Sequence, residues 1–139
     1  MAKQIYFEDI NIGDAMPALV KGPVQKLQHV MYAGASGDFN PLHTDDDFAK
    51  AVGMDCVIAH GMLIMGFVGQ AITNWIPKKC LKKLGIRFAG MTKPGNTITV
   101  SGKVIDKKPG LIICEVTAMD EKGDVKITGQ FEAALPSKG

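Results

Sequence analysis

Asp38 and His43 are the two side chains in this sequence best suited, by type and spacing, to move protons. They lie in Ser36-Gly37-Asp38-Phe39-Asn40-Pro41-Leu42-His43, with a proline between them. A carboxylate and an imidazole that share one water can hold it, partly deprotonate it and return a proton to a neighbouring atom. Aspartate has a reference pKa of about 3.9 and histidine of about 6.5, so neutral pH gives an acceptor carboxylate beside a titratable partner. Either member could accept the first proton. Such catalysis is worth ~10²–10⁴-fold, so positioning and charge stabilisation must supply the rest.

Gly61 is the third candidate. Ala59-His60-Gly61 opens an apolar helical stretch. The first turn of a helix has N–H groups without intrahelical partners and the positive end of the dipole. With no side chain, Gly61 would let an oxygen that gains charge approach the backbone closely, although close packing alone could also explain a glycine there. Taken singly, Asp38 and Asn40 also read as turn residues, and His60 as a buried, hydrogen-bonded histidine. The combination Gly-Asp-x-Asn-Pro-x-His favours the catalytic reading. Asp45, Asp46 and Asp47 point in different directions around a helix, so they read as a solvated first turn and no metal site is expected.

The elements that must position these residues can be read from the flanking pattern. Gly22-Pro23 is expected to start a helix, with Val24, Leu27, Met31 and Ala35 on one face and a stop at Ser36-Gly37. Asn40-Pro41 prevents that helix from running on, because a residue before proline avoids the α region. Thr44 is a candidate N-cap for a second helix reaching about Val52 and Gly53. A third, opened by Ala59-His60-Gly61, reaches about Trp75 and stops at Pro77. Its Met62, Leu63, Ile64, Met65, Phe67, Val68, Ala71 and Ile72 leave almost no polar face, so it should be largely enclosed. Residues 5–7 read as a short strand and 15–20 as extended, and 81–88, 97–105, 111–119 and 125–134 as strands separated by turn residues. The expectation is an α+β architecture in one domain, 1–139, with an antiparallel meander curled around one helix.

Composition narrows the partners. The chain has 139 residues, 46% hydrophobic and 22% charged, with a net charge of +2. That is ordinary for a globular protein and too balanced to imply nucleic acid or a membrane surface. Residues 56–77 carry no charge apart from a possible one on His60, but Gln70, Thr73, Asn74 and three glycines favour an enclosed helix over a membrane span. No secretory signal is visible at the N-terminus, so a cytoplasmic location is expected. Cys56, Cys80 and Cys114 lack zinc-site spacing and read as reduced, buried small residues.

The block Tyr32-Ala33-Gly34-Ala35-Ser36-Gly37-Asp38-Phe39-Asn40-Pro41-Leu42-His43 resembles the signature of the MaoC-like hydratase/dehydratases, the R-specific enoyl-thioester hydratases of the hydratase 2 type. Ile58-Ala59-His60-Gly61-Met62 resembles the start of that family's central helix. The resemblance implies a hotdog fold, a curved antiparallel sheet wrapped around a long helix. It implies reversible hydration of a trans-2-enoyl thioester to the (R)-3-hydroxyacyl product, on coenzyme A or acyl carrier protein, with no other cofactor. It implies a homodimer or dimer of dimers. By position, Asp38 and His43 match the catalytic pair, Gly61 the backbone N–H that binds the thioester oxygen, and Asn40 a residue supporting the water site. His60 and Met62, beside Gly61, are placed with Asn40 as substrate-binding residues. Met54, Met62, Met65 and Met91 could line a flexible acyl pocket, although ordinary core residues are the simpler reading. The alternatives are a hotdog acyl-CoA thioesterase and a non-catalytic acyl-binding subunit of a heterodimeric dehydratase. The Asp38/His43 pair argues against both.

Overall fold

A computed structural model describes residues 3–139. The elements run β1 (Ala15–Lys21), α1 (Lys26–Ser36), α2 (Asp46–Ala51), α3 (Gly61–Trp75), β2 (Leu81–Phe88), β3 (Ile98–Lys108), β4 (Leu111–Met119) and β5 (Val125–Ala134). Short 3-10 turns occupy Phe7–Asp9, Pro41–His43 and Lys78–Cys80. The strands form one antiparallel sheet in the order β1-β3-β4-β5-β2. The sheet wraps α3, the hotdog arrangement.

The two periodicities meet in the core. Alternate residues of β3, β4 and β5, including Val100, Val104, Cys114, Val116, Ile127 and Phe131, are buried together with Leu63, Ile64, Phe67, Val68, Ala71 and Ile72 of α3. Burying a large apolar side chain is worth ~1.5–3 kcal/mol, so this face of α3 fixes the helix, and Gly61 at its start, against the sheet. Its other face is open: Met62, Gly66, Gln70 and Asn74 are exposed. The expectation of a largely enclosed helix holds for one side, because a single sheet covers only one. No helix among the described residues is long and apolar enough to cross a membrane.

Several local expectations are corrected. Only β3, β4 and β5 form the meander. β2 pairs with β5, with Leu84 opposite Phe131 and Arg87 opposite Thr128. The loop of residues 89–97, with Pro94-Gly95 in it, crosses the end of the sheet instead of folding back as a hairpin. Helix α1 starts at Lys26, not at Pro23, because Val24 is held extended by a bond from its N–H to the Asn96 carbonyl (2.9 Å) and one from the Gly95 N–H to its own carbonyl (2.7 Å). Residues 5–7 do not form a strand and lead into the first 3-10 turn. The cap of α2 is Asp45, whose carboxylate accepts the N–H groups of Asp47 and Phe48, while Thr44 closes the preceding turn. Cys80 and Cys114 are buried and burial pushes the Cys114 thiol up to about 12, whereas Cys56 is only half-buried.

Candidate active site

The loop between α1 and α2 builds itself from local hydrogen bonds. Gly37 ends α1 in the left-handed region (φ 78°), where glycine carries no steric penalty. The Asp38 N–H then donates to Ser36 Oγ (3.1 Å), the Asn40 N–H to Asp38 Oδ1 (3.2 Å) and the Leu42 N–H to Asn40 Oδ1 (3.0 Å). These turns fold the chain back through Pro41–His43, so that His43 Nε2 stands 3.7 Å from Asp38 Oδ2. That is beyond direct hydrogen bonding and within the span of one bridging water. The His43 side chain is 12% exposed and that of Asp38 54%, so the imidazole faces inward and the carboxylate faces solvent.

His43 is oriented by the segment that leads into α3. Its Nδ1 donates to the Ile58 carbonyl (2.8 Å), and the Ile58 N–H donates to the Leu42 carbonyl (3.2 Å). With Nδ1 protonated, the neutral ring presents an unprotonated Nε2 towards Asp38. His60 stacks on His43, with ring centroids 3.8 Å apart and planes inclined by 26°.

A cavity of about 190 Å³ adjoins this pair and is lined by both His43 and Gly61. Its other walls include Ile64, Phe88, Met91, Thr92 and Lys126. Gly61 is the first residue of α3, and no side chain of the N-cap residue His60 bonds back to that turn. A Cβ on Gly61 would meet the Phe88 ring at 3.0 Å, so the glycine keeps this end of the cavity open. Thus the loop and the helix start, distant in sequence, converge on one pocket.

The sequence-derived residues are placed as follows. His43 and Gly61 share the cavity, and Asp38 stands beside His43 at its solvent side. Asn40 is exposed, with its side-chain oxygen already taken by Leu42. His60 is buried (2% exposed), outside the cavity lining, and Met62 is 55% exposed on the open face of α3. Of the other methionines suggested for an acyl pocket, Met91 lines the cavity.

Sequence reasoning overlooked His29, Phe88, Thr92, Asp120 and Lys126. Lys126 lines the cavity and pairs with Asp120 at 3.2 Å. Burial pushes the Asp120 carboxyl up, but N–H bonds from Asp124 and Lys122 and the Lys126 ammonium outweigh this and hold it below the usual range. A lone lysine in an alternating strand gave no sign of this. Asp46 also differs from the expected solvated residue. Its carboxylate accepts the Val57 N–H (3.0 Å) and Lys26 Nζ (2.9 Å), which together hold it below its ordinary pKa.

A metal is not a natural occupant. Donor atoms of Asp38, His43 and His60 lie within 4.8 Å of one another. Yet Nε2 of His60 is engaged by the Asp38 carbonyl, and its other ring nitrogen is buried away from solvent.

The family described as MaoC like domain matches residues 10–124. An (R)-specific enoyl-CoA hydratase from Rhodospirillum rubrum is 29% identical over 140 aligned positions, covering 96% of this chain and 94% of the relative. A peroxisomal hydratase-dehydrogenase-epimerase from Neurospora crassa is 36% identical over 112 positions, which are 81% of this chain but 12% of that much longer protein. An unliganded R-hydratase structure from Pseudomonas aeruginosa superposes with a TM-score of 0.87 at 23% identity, over 99% of this chain and 89% of the other, and so shares its fold.

Proposed function

The chain belongs to the MaoC-like domain family, and from that premise we propose that it reversibly adds water across the double bond of a trans-2-enoyl thioester, giving the (R)-3-hydroxyacyl thioester. The observation that carries the proposal is the locked His43 ring, with Nε2 3.7 Å from Asp38 Oδ2, lining the cavity it shares with Gly61.

The chemistry follows from that arrangement. The substrate lies in the cavity with its thioester oxygen at the start of α3, where the Gly61 N–H and the helix dipole stabilise the charge that develops there. A water sits between Asp38 Oδ2 and His43 Nε2. Because Nδ1 is committed to Ile58, Nε2 can only accept when the ring is neutral. His43 therefore takes one proton of the water, Asp38 orients the water through the other, and the hydroxide oxygen bonds to C3. The π electrons move to give an enolate at the thioester, and the proton on Nε2 passes to C2. Dehydration is the reverse. Atoms balance with no redox partner, which suits a chain whose acyl group arrives on coenzyme A or acyl carrier protein.

The (R) outcome and the coenzyme A carrier are supported by the activity named for the Rhodospirillum rubrum relative, which this chain matches almost end to end. A dimer is the expected state, supported by the open, uncharged outer face of α3 and by the uncovered outer edges of β1 and β2.

The test follows crotonyl-CoA at the enoyl absorbance band together with free-thiol release. Loss of the enoyl signal without thiol release, with (R)-3-hydroxybutyryl-CoA as product, is the expected result. Thiol release with the enoyl band intact would make the protein a thioesterase. Neither signal, across chain lengths and both carriers, would leave only a binding role.

A further inference from the structure

Two buried histidines hold the two ends of the catalytic loop. His29, in α1, is fully buried, and its Nδ1 donates to the backbone carbonyl of His43 (3.0 Å). His60 is 2% exposed, and its Nε2 donates to the backbone carbonyl of Asp38 (3.0 Å). The two bonded residues are the acid–base pair itself. We propose that His29 and His60 are positioning residues that set the separation of Asp38 and His43 by holding the carbonyls of those two residues.

Their burial gives the argument its weight. The remaining ring nitrogens, His29 Nε2 and His60 Nδ1, are buried and have no hydrogen-bond partner among the described residues. An unpartnered buried polar atom costs stability, and an apolar side chain of similar shape would avoid that cost. Local rules of this kind are broken mainly where function requires it. The compensation visible here is two donors delivered to the loop, one from α1 and one from the start of α3.

The rings also form a packed cluster. His60 touches three other rings: His43, stacked at 3.8 Å, Tyr32, edge-on at 4.8 Å, and His29, edge-on at 6.5 Å. A shift in His60 therefore moves the plane of His43 as well as the carbonyl of Asp38. The two bonds require a proton on Nδ1 of His29 and on Nε2 of His60, so as neutral rings the two are opposite tautomers. This reassigns His60 from a substrate contact to a residue that acts through Asp38 and His43. Its consequence for turnover rests on the hydratase reading above. The tautomer assignment does not.

The first measurement is a nitrogen-15 long-range spectrum of the full chain at pH 7, which needs no substrate. The expected result is a neutral Nδ1–H ring for His29 and a neutral Nε2–H ring for His60. A charged ring or the reversed tautomer at either position overturns the inference, even where the protein proves inactive. The second measurement compares His29→Leu and His60→Leu with His29→Asn and His60→Gln, which keep a donor near the original nitrogen. The leucine variants should lose at least ~10-fold in kcat with little change in KM, as small misplacements of reacting groups do. The Asn and Gln variants should recover most of that loss. Leucine variants with ordinary kcat would overturn it. So would Asn and Gln variants that melt normally yet show the kcat loss predicted for leucine, a comparison that still decides if leucine prevents folding.

Discussion

His43 Nδ1 donates to the carbonyl of Ile58 at 2.8 Å, and this bond joins the loop that carries Asp38 to the segment that opens α3 at Gly61. It does two things at once. It fixes which nitrogen of a neutral His43 ring can accept a proton, and it joins the two segments to which the proposed function assigns proton transfer and charge stabilisation. The bonds from His60 to Asp38 and from Ile58 to Leu42 repeat the connection.

Gly61→Ala should lower kcat at least ~10-fold while the protein stays folded, because loss of close backbone approach affects the transition state most. The new Cβ would press on the Phe88 ring at 3.0 Å, and Phe88 is 52% exposed, so the ring can swing away. The double variant Gly61→Ala/Phe88→Ala separates two reasons for the glycine. If room beside Phe88 were its whole role, the double variant would regain activity. The account predicts that it stays slow in steady-state hydration assays.

Stability should fall in mild acid, partly through His29. Burial lowers its pKa below 6.5, although the bond to the His43 carbonyl pulls the other way. The unfolded chain therefore binds a proton near pH 6.5 that the folded chain refuses until lower pH. The contribution of His29 is complete above about 6.5 and is lost as pH drops towards the lowered folded value. Melting temperatures from pH 8 to 5 should fall more steeply for the natural chain than for His29→Asn, which has nothing to titrate there. Parallel curves would contradict this.

Asp46 gives a structural prediction with an internal control. Its carboxylate holds the Val57 N–H, which is part-buried, and pairs with Lys26 at the surface. Exposed ion pairs contribute little. Lys26→Met should therefore change the melting temperature less than Asp46→Ala, which frees the Val57 N–H and loosens the approach to Ile58. Equal effects would show that the ion pair matters more than the backbone bond.

The legible and illegible parts of this protein divide along physical lines. Elements with strong periodicity or strong stop signals were readable: α3 from Gly61 to Trp75, the end of α1 at Gly37, and β2, β4 and β5. The closeness of Asp38 and His43 was readable because a glycine stop and an Asn-Pro turn leave a short loop few other shapes. Three things were hidden. The position of β2 beside β5 depends on how a long loop crosses the sheet, which local patterning does not encode. The start of α1 was displaced because Val24 pairs with residues far along the chain, at Gly95 and Asn96. His29 sits on a helix face among ordinary residues, and its bond to His43 exists only once the loop has folded back onto it. The same holds for Lys126, which lines the cavity and is the extra residue where the register of β4 and β5 shifts between Ala118 and Met119.

The central claim is that Asp38 and His43 together activate water for a double bond held against Gly61. It is tested most directly by hydration rates of crotonyl-CoA for the natural chain, Asp38→Asn and His43→Ala, each checked for a native melting curve. The account predicts that each variant loses at least ~10²-fold in kcat while remaining folded. Near-normal hydration by either folded variant would contradict it.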